Sequence, residues 1–208
     1  LKIKYPAHKK IAIGTSFGGI LMSQYMDRKT DKTKEIFQCV VLISPVWDPY
    51  SGSASIEQPI NKFFINNGVA AGFRAIIRKN RQVLQTVIDV DKMISKITTL
   101  RNFDINFTVP QFNYKNVKEY YDDIGLVQRI KNFPVPVFAL CAADDPMQPK
   151  DSLPFREAVE DGSNLVMVVT ARGGHLGFLE GFLPVSKLVN FSERLVQDVL
   201  NQYLPKSD

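Results

Sequence analysis

The sequence predicts an α/β fold built on a parallel sheet. Two observations carry that expectation. Four short runs, "KIAIGT" (10–15), "CVVLIS" (39–44), "VPVFALC" (135–141) and "LVMVVT" (165–170), are nearly continuous in apolar character, as strands covered on both faces are. Helical patterns follow three of them, and strands alternating with helices make βαβ units.

Taken in order, the first strand leads into "FGGILMSQYMDRK" (17–29), and the third into "DSLPFREAVED" (151–161). The fourth is followed by "PVSKLVNFSERLVQDVLNQYL" (184–204), where Leu188, Phe191, Leu195, Val199 and Leu200 recur at helical spacing. Residues 48–130 interrupt this rhythm between the second and third strands. They hold helical stretches at 55–88 and 89–104, and an insertion of that size is either a cap over the site or a packed helical layer. Within it, "GFRAIIRKNRQVLQ" (72–85) sets Phe73, Ile76, Ile77, Val83 and Leu84 beside Arg74, Arg78, Lys79 and Arg81. That pattern fits a helix resting on an anionic membrane surface, or equally one with a solvated basic face.

The 208 residues suffice for a single domain with a real core, and 45% hydrophobic and 23% charged residues are ordinary for a globular chain. No apolar run approaches the ~20 residues that span a bilayer, and the charged start "LKIKYPAHKK" has no signal-peptide character. The net charge of +5 comes from scattered basic residues without any nucleic-acid-binding pattern, so no nucleic acid partner is expected. Cys39 and Cys141 each lie inside an apolar run and read as buried free thiols. With two histidines and no Cys/His cluster, no metal is implied, and no other cofactor either.

The chemistry begins at Gly14-Thr15-Ser16-Phe17-Gly18, a G-x-S-x-G between a strand and a helix. Glycines at 14 and 18 permit a tight turn that lifts the Ser16 hydroxyl clear of the sheet. The helix that follows points its positive end at the site. A glycine-rich turn of purely structural use, or one that cradles a phosphate, is the other reading, but G-x-G-x-x-G is not matched and no lysine follows. After the third strand comes Asp144-Asp145-Pro146-Met147-Gln148-Pro149. Asp145 heads a D-x-x-x-P turn and is preferred as the acid that would orient a histidine, with Asp144 beside it as the other candidate. After the fourth strand, His175 follows two glycines in "TARGGHLGF" (170–178). The other histidine, His8, precedes the first strand, at the wrong end of the sheet. Serine, acid and histidine therefore occur in the order Ser…Asp…His, each just past a strand, where open parallel sheets bind ligands.

On these stretches, with "YPAHKKIAIGTSFGG", "TLRNFDINFTVPQFNYKNVKEYYDDI", "VPVFALCAADDPMQP" and "ARGGHLGFLEG", the chain resembles a group of α/β-hydrolases. The group includes the bacterial YheT-type esterases, plant embryogenesis-associated hydrolases and animal α/β-hydrolase domain-containing proteins 1 and 3. The resemblance runs from one end of the chain to the other. It implies a catalytic triad of Ser16, Asp145 and His175, a lipid ester substrate (phospholipid or acylglycerol, short to medium acyl chain), and an N-terminal membrane anchor in the complete protein. The family's first four strands have no counterpart, so the expected fold is an incomplete α/β-hydrolase, residues 1–208 forming one partial domain with 48–130 inserted. The chain is then a fragment, as its start at Leu1 also suggests. Of the two oxyanion donors, the N–H of Phe17 is present and the other is expected upstream. Without an upstream neighbour, "KIAIGT" becomes an exposed apolar edge. The alternative is a non-catalytic lipid- or protein-binding remnant of a hydrolase, which has no need of all three site residues.

Overall fold

The computed structural model describes residues 4–5, 8–180 and 190–204. Four parallel strands form one sheet in the order β1-β2-β3-β4: β1 (Ile11–Thr15), β2 (Cys39–Ile43), β3 (Val137–Ala142) and β4 (Leu165–Thr170). β1 pairs with β2 from Ile11↔Cys39 to Thr15↔Ile43, and β3 with β4 from Val137↔Leu165 to Ala142↔Thr170. The strands follow the four apolar runs of the sequence closely. Cys39, Val40, Val41 and Leu42 of β2 are fully buried, as expected of an inner strand. The outer strands are not: Ile13 of β1 is 52% exposed and Val166 of β4 47%, because each edge lacks a neighbour on one side.

The chain separates into two compact units, residues 1–48 with 125–208, and residues 49–124. In the sheet unit, α1 (Phe17–Arg28) and α2 (Thr30–Ile36) connect β1 to β2. Helix Phe191–Tyr203 places Val196, Val199 and Tyr203 on Cys39, Val41 and Phe138 of the sheet. Of the apolar stripe read from the sequence, Val199 lies in this contact, while Phe191 and Leu195 pack against Leu140, Ala142 and Phe178. Val196 and Tyr203 were not read as part of it, and its first member, Leu188, lies outside the described residues. The helix expected over 151–161 is broken into a 3₁₀ turn (Lys150–Ser152) and a short helix (Phe155–Ala158). Pro154 is the cause: it pushes Leu153 into an extended conformation (φ −75°, ψ 135°). Residues 125–132 belong with the sheet, since Leu126 N–H donates to the Trp47 carbonyl at 2.9 Å and Arg129 pairs with Asp27 on α1. Trp47 is itself fully buried, its indole N–H directed at Cys141 Sγ at 3.4 Å. Both cysteines are free and buried, and burial pushes each thiol up to about 11.

The second unit is helical throughout. After α3 (Pro49–Ile56), a helix from Pro59 to Lys79 contains a π turn at Lys62–Asn66. Beyond a short helix at Arg81–Leu84, Asp89 and Thr99 cap the helices Val90–Lys96 and Leu100–Phe103, accepting the N–H groups of Lys92 and Asn102. The core of this unit is Ala70, Ile77, Val90 and Ile97, with Phe73 stacked on Phe103 at 3.9 Å between ring centres. Of the apolar residues read along 72–85, Phe73, Ile77 and Leu84 therefore serve this core, while Ile76 and Val83 face outward. Asn66 ties the π turn down by accepting the Leu100 N–H at 2.8 Å. A second buried polar group, Asp104, accepts from Thr108 Oγ1 and Tyr121 Oη, each at 3.1 Å, and burial pushes its carboxyl up to about 6 despite those bonds. No described helix is long and apolar enough to cross a membrane.

Candidate active site

Ser16 stands at the junction of β1 and α1 with φ 51° and ψ −118°. A non-glycine residue in that region is strained by ~1–3 kcal/mol and persists only where neighbours hold it. Two backbone bonds do so: Ser16 N–H to the Ile43 carbonyl, and Gly19 N–H to the Ser16 carbonyl, both 2.9 Å. The turn is tight enough that a Cβ on Gly14 would come 2.7 Å from the Gly18 carbonyl oxygen. Gly18 itself has open space, so it is not contact that requires its lack of a side chain. The glycine the sequence reading passed over is Gly19, where a Cβ would meet Pro45 at 2.7 Å. Gly19 lets the first turn of α1 lie against the segment that follows β2. The only sequence signal for it was the doubled Gly18-Gly19.

The three residues picked from the sequence meet in a line. Ser16 Oγ lies 2.8 Å from His175 Nε2, and His175 Nδ1 lies 2.8 Å from Asp145 Oδ2. They can meet because all strands are parallel, so the segments after Thr15, Ala142 and Thr170 share one end of the sheet. An ionised carboxylate can only accept, so Nδ1 carries the ring proton and the neutral ring leaves Nε2 free to accept the Ser16 hydroxyl. The Asp145 side chain is 3% exposed and that of His175 14%. Burial strengthens such bonds by excluding water. The other oxygen of Asp145, Oδ1, accepts the N–H groups of Met147 at 2.7 Å and Gln148 at 3.2 Å, which is the local turn its position before Pro146 suggested. Asp144 is exposed and does not touch the imidazole; its Oδ1 accepts the Gly174 N–H at 2.8 Å.

Phe17, 52% exposed, opens α1. As the first helical residue its N–H has no carbonyl four residues back in the helix, and it sits beside the Ser16 hydroxyl in sequence. His8 lies before β1, edge-on to Tyr5, at the opposite end of the strand from Ser16. Among the described residues no group of three or more His, Cys, Asp or Glu could hold a metal ion.

No family model matches the chain. Phospholipase ABHD3 of Mus musculus is 33% identical over 180 residues, 86% of this chain and 43% of that protein. A monoacylglycerol lipase of Saccharomyces cerevisiae is 29% identical over 185 residues, 86% of this chain and 40% of its own length. The chain thus spans less than half the length of either relative. Among solved structures, an esterase of Pyrococcus furiosus superposes with a TM-score of 0.52 over 98% of this chain and 58% of that one, at 14% identity, a likeness of fold alone. Together with the parallel sheet, these similarities show that the chain belongs to the α/β-hydrolase superfamily and resembles phospholipase ABHD3.

Proposed function

We propose that this chain supplies the catalytic triad of a serine hydrolase that cleaves carboxylic esters of lipids. The observation that carries the reading is the hydrogen-bonded line from Ser16 through His175 to Asp145. A serine hydroxyl is a weak nucleophile until a base takes its proton. Here His175 Nε2 accepts that proton as Ser16 Oγ attacks the ester carbonyl, and later returns it to the leaving alcohol. Asp145 Oδ2 keeps the imidazole in the tautomer that this requires and stabilises the imidazolium that forms. The Phe17 N–H, at the positive end of α1, offers one hydrogen bond to the developing oxyanion. The acyl group is then carried on Ser16 until His175 activates a water to release it.

The substrate class, phospholipid or acylglycerol with a short to medium acyl chain, is supported by the resemblance and by the names of the relatives, a phospholipase and a monoacylglycerol lipase. The test is labelling of the full-length protein with a fluorophosphonate probe, followed by release of fatty acid from a phospholipid and from a monoacylglycerol. Both should depend on Ser16. Labelling that survives Ser16→Ala would remove Ser16 as the nucleophile.

A further inference from the structure

Asp144 is outside the line of three, yet it is bonded to the loop that carries the histidine. Its Oδ1 accepts the Gly174 N–H at 2.8 Å, and Gly174, at φ +57°, is the residue immediately before His175. The rest of the loop is closed upon itself. The N–H groups of Gly177 and Phe178 both donate to the Gly173 carbonyl, at 3.0 and 3.1 Å. The buried Phe178 ring packs against Leu140 and Ala142 at the end of β3. The two backbone bonds hold the carbonyl edge of the Gly173–Gly174 peptide, and Asp144 holds the N–H edge of the same peptide.

Asp144 and Asp145 are consecutive residues of one turn. That turn therefore grips the histidine twice, at the ring through Asp145 and at the preceding peptide through Asp144. One bond to Nδ1 fixes a distance and lets the ring pivot about it. A second anchor on the backbone fixes where the ring starts from, and so where Nε2 points relative to Ser16 Oγ. The second bond is also charge-assisted, with a carboxylate as acceptor.

We propose that Asp144 is a positioning residue for His175: through the Gly174 N–H it holds the histidine loop so that Nε2 stays aligned with Ser16 Oγ. The inference rests on reading Ser16, His175 and Asp145 as the triad. A misplacement of about 1 Å at a reacting group can lower a rate ~10²-fold, which sets the scale of the effect.

The experiment compares wild type, Asp144→Ala and Asp144→Asn in the full-length protein, with Ser16→Ala as the control. It reads the rate of fluorophosphonate labelling at Ser16, and kcat and KM on a soluble short-chain ester. Asp144→Ala should slow labelling and lower kcat by about 10–100-fold, with KM and the thermal midpoint unchanged. Asp144→Asn keeps an oxygen acceptor for the Gly174 N–H and should stay within a few-fold of wild type. Wild-type rates in the Ala variant, or an Asn variant as slow as Ala, overturn the inference. Should the Ala variant fail to fold, hydrogen exchange of the Gly174 amide in the wild type decides. Slow exchange supports the tie, and exchange at the rate of an open loop overturns it. Ser16-dependent labelling that ignores Asp144 defeats this inference alone, whereas labelling that does not need Ser16 defeats the triad reading and this inference together.

Discussion

Asp145 reaches His175 with one carboxylate oxygen and keeps the other on its own turn. Oδ2 lies 2.8 Å from Nδ1, while Oδ1 accepts the N–H groups of Met147 and Gln148. The amide of Asp145→Asn preserves the shape, but it offers a donor to one partner and so spoils either the tautomer or the turn. In the full-length enzyme, kcat on a p-nitrophenyl ester should fall on the order of 10⁴-fold with little change in KM. Asp144→Asn should leave kcat nearly unchanged; the reverse ranking would move the role of the acid to Asp144.

Ser16 and His175 act as one unit in the proposed mechanism. Ser16→Ala and His175→Ala should each lower kcat about as much as the double variant. Rate losses that multiply in the double variant would show that the two residues work independently, contrary to the 2.8 Å bond between them.

Replacement of Gly14 by alanine tests the turn rather than the chemistry. The new Cβ would sit 2.7 Å from the Gly18 carbonyl oxygen, a backbone atom that cannot swing aside. Ser16 should move with the turn, so labelling at Ser16 should fall at least tenfold, while Gly18→Ala, facing open space, should be milder. Equal effects at the two positions would contradict the contact.

Asp104 makes the stability of the helical unit depend on pH in a defined direction. Its carboxyl titrates near 3.8 when unfolded and is pushed up to about 6 when folded, chiefly by burial. Below about pH 4 it is protonated in both states and its contribution is fully present. As pH rises through about 6 the folded state must ionise a buried group, and on the order of 3 kcal/mol is lost. Thermal unfolding from pH 4 to 7.5 should therefore show a fall in wild type that is flattened in Asp104→Asn. Parallel curves for the two proteins would show that the carboxyl is not the group responsible.

The edge of β1 invites association. Ile13 on β1, and Phe17 and Leu21 on α1, are all more than half exposed, and β1 has a paired neighbour on one side only. Such edges pair with other chains unless a charge blocks them. In light scattering of the 208-residue chain, Ile13→Lys should shift the population toward monomer. Unchanged scattering would place the sticky surface elsewhere.

How much of this was legible follows from which residues carry local signals. The four strands could be found because inner strands such as Cys39–Ile43 are apolar at every position, and a helix of that length rarely is. Ser16, Asp145 and His175 could be picked because each sits past a strand, in a turn rich in glycine or proline. The doubled aspartates were harder. Pro146 favours Asp145 as the head of the turn, but the partner of Asp144 is an amide thirty residues later, which no local pattern announces. The helix broken at Pro154 was legible in principle from the proline itself. The π turns at Lys62–Asn66 and Asp104–Thr108 were not, because a single wide turn leaves the apolar spacing almost unchanged. Exposure on β1 was expected once the resemblance left that strand without an upstream neighbour, and Ile13 bears it out; exposure on β4 was hidden, since strand composition does not say which strands lie at an edge.

Trp47 gives the molecule an optical property of its own. It is the sole tryptophan of the chain, it is fully buried, and its indole N–H points at the Cys141 sulfur. A nearby thiol quenches indole emission, and an apolar surrounding shifts that emission to the blue. Unfolding of the sheet unit should therefore brighten and redden the fluorescence. Residues 49–124 hold tyrosines but no tryptophan. Excitation at wavelengths that tyrosine does not absorb then follows the sheet unit alone, and far-ultraviolet circular dichroism, dominated by helices, weights the other. One unlabelled sample can show whether the two units melt together or in sequence.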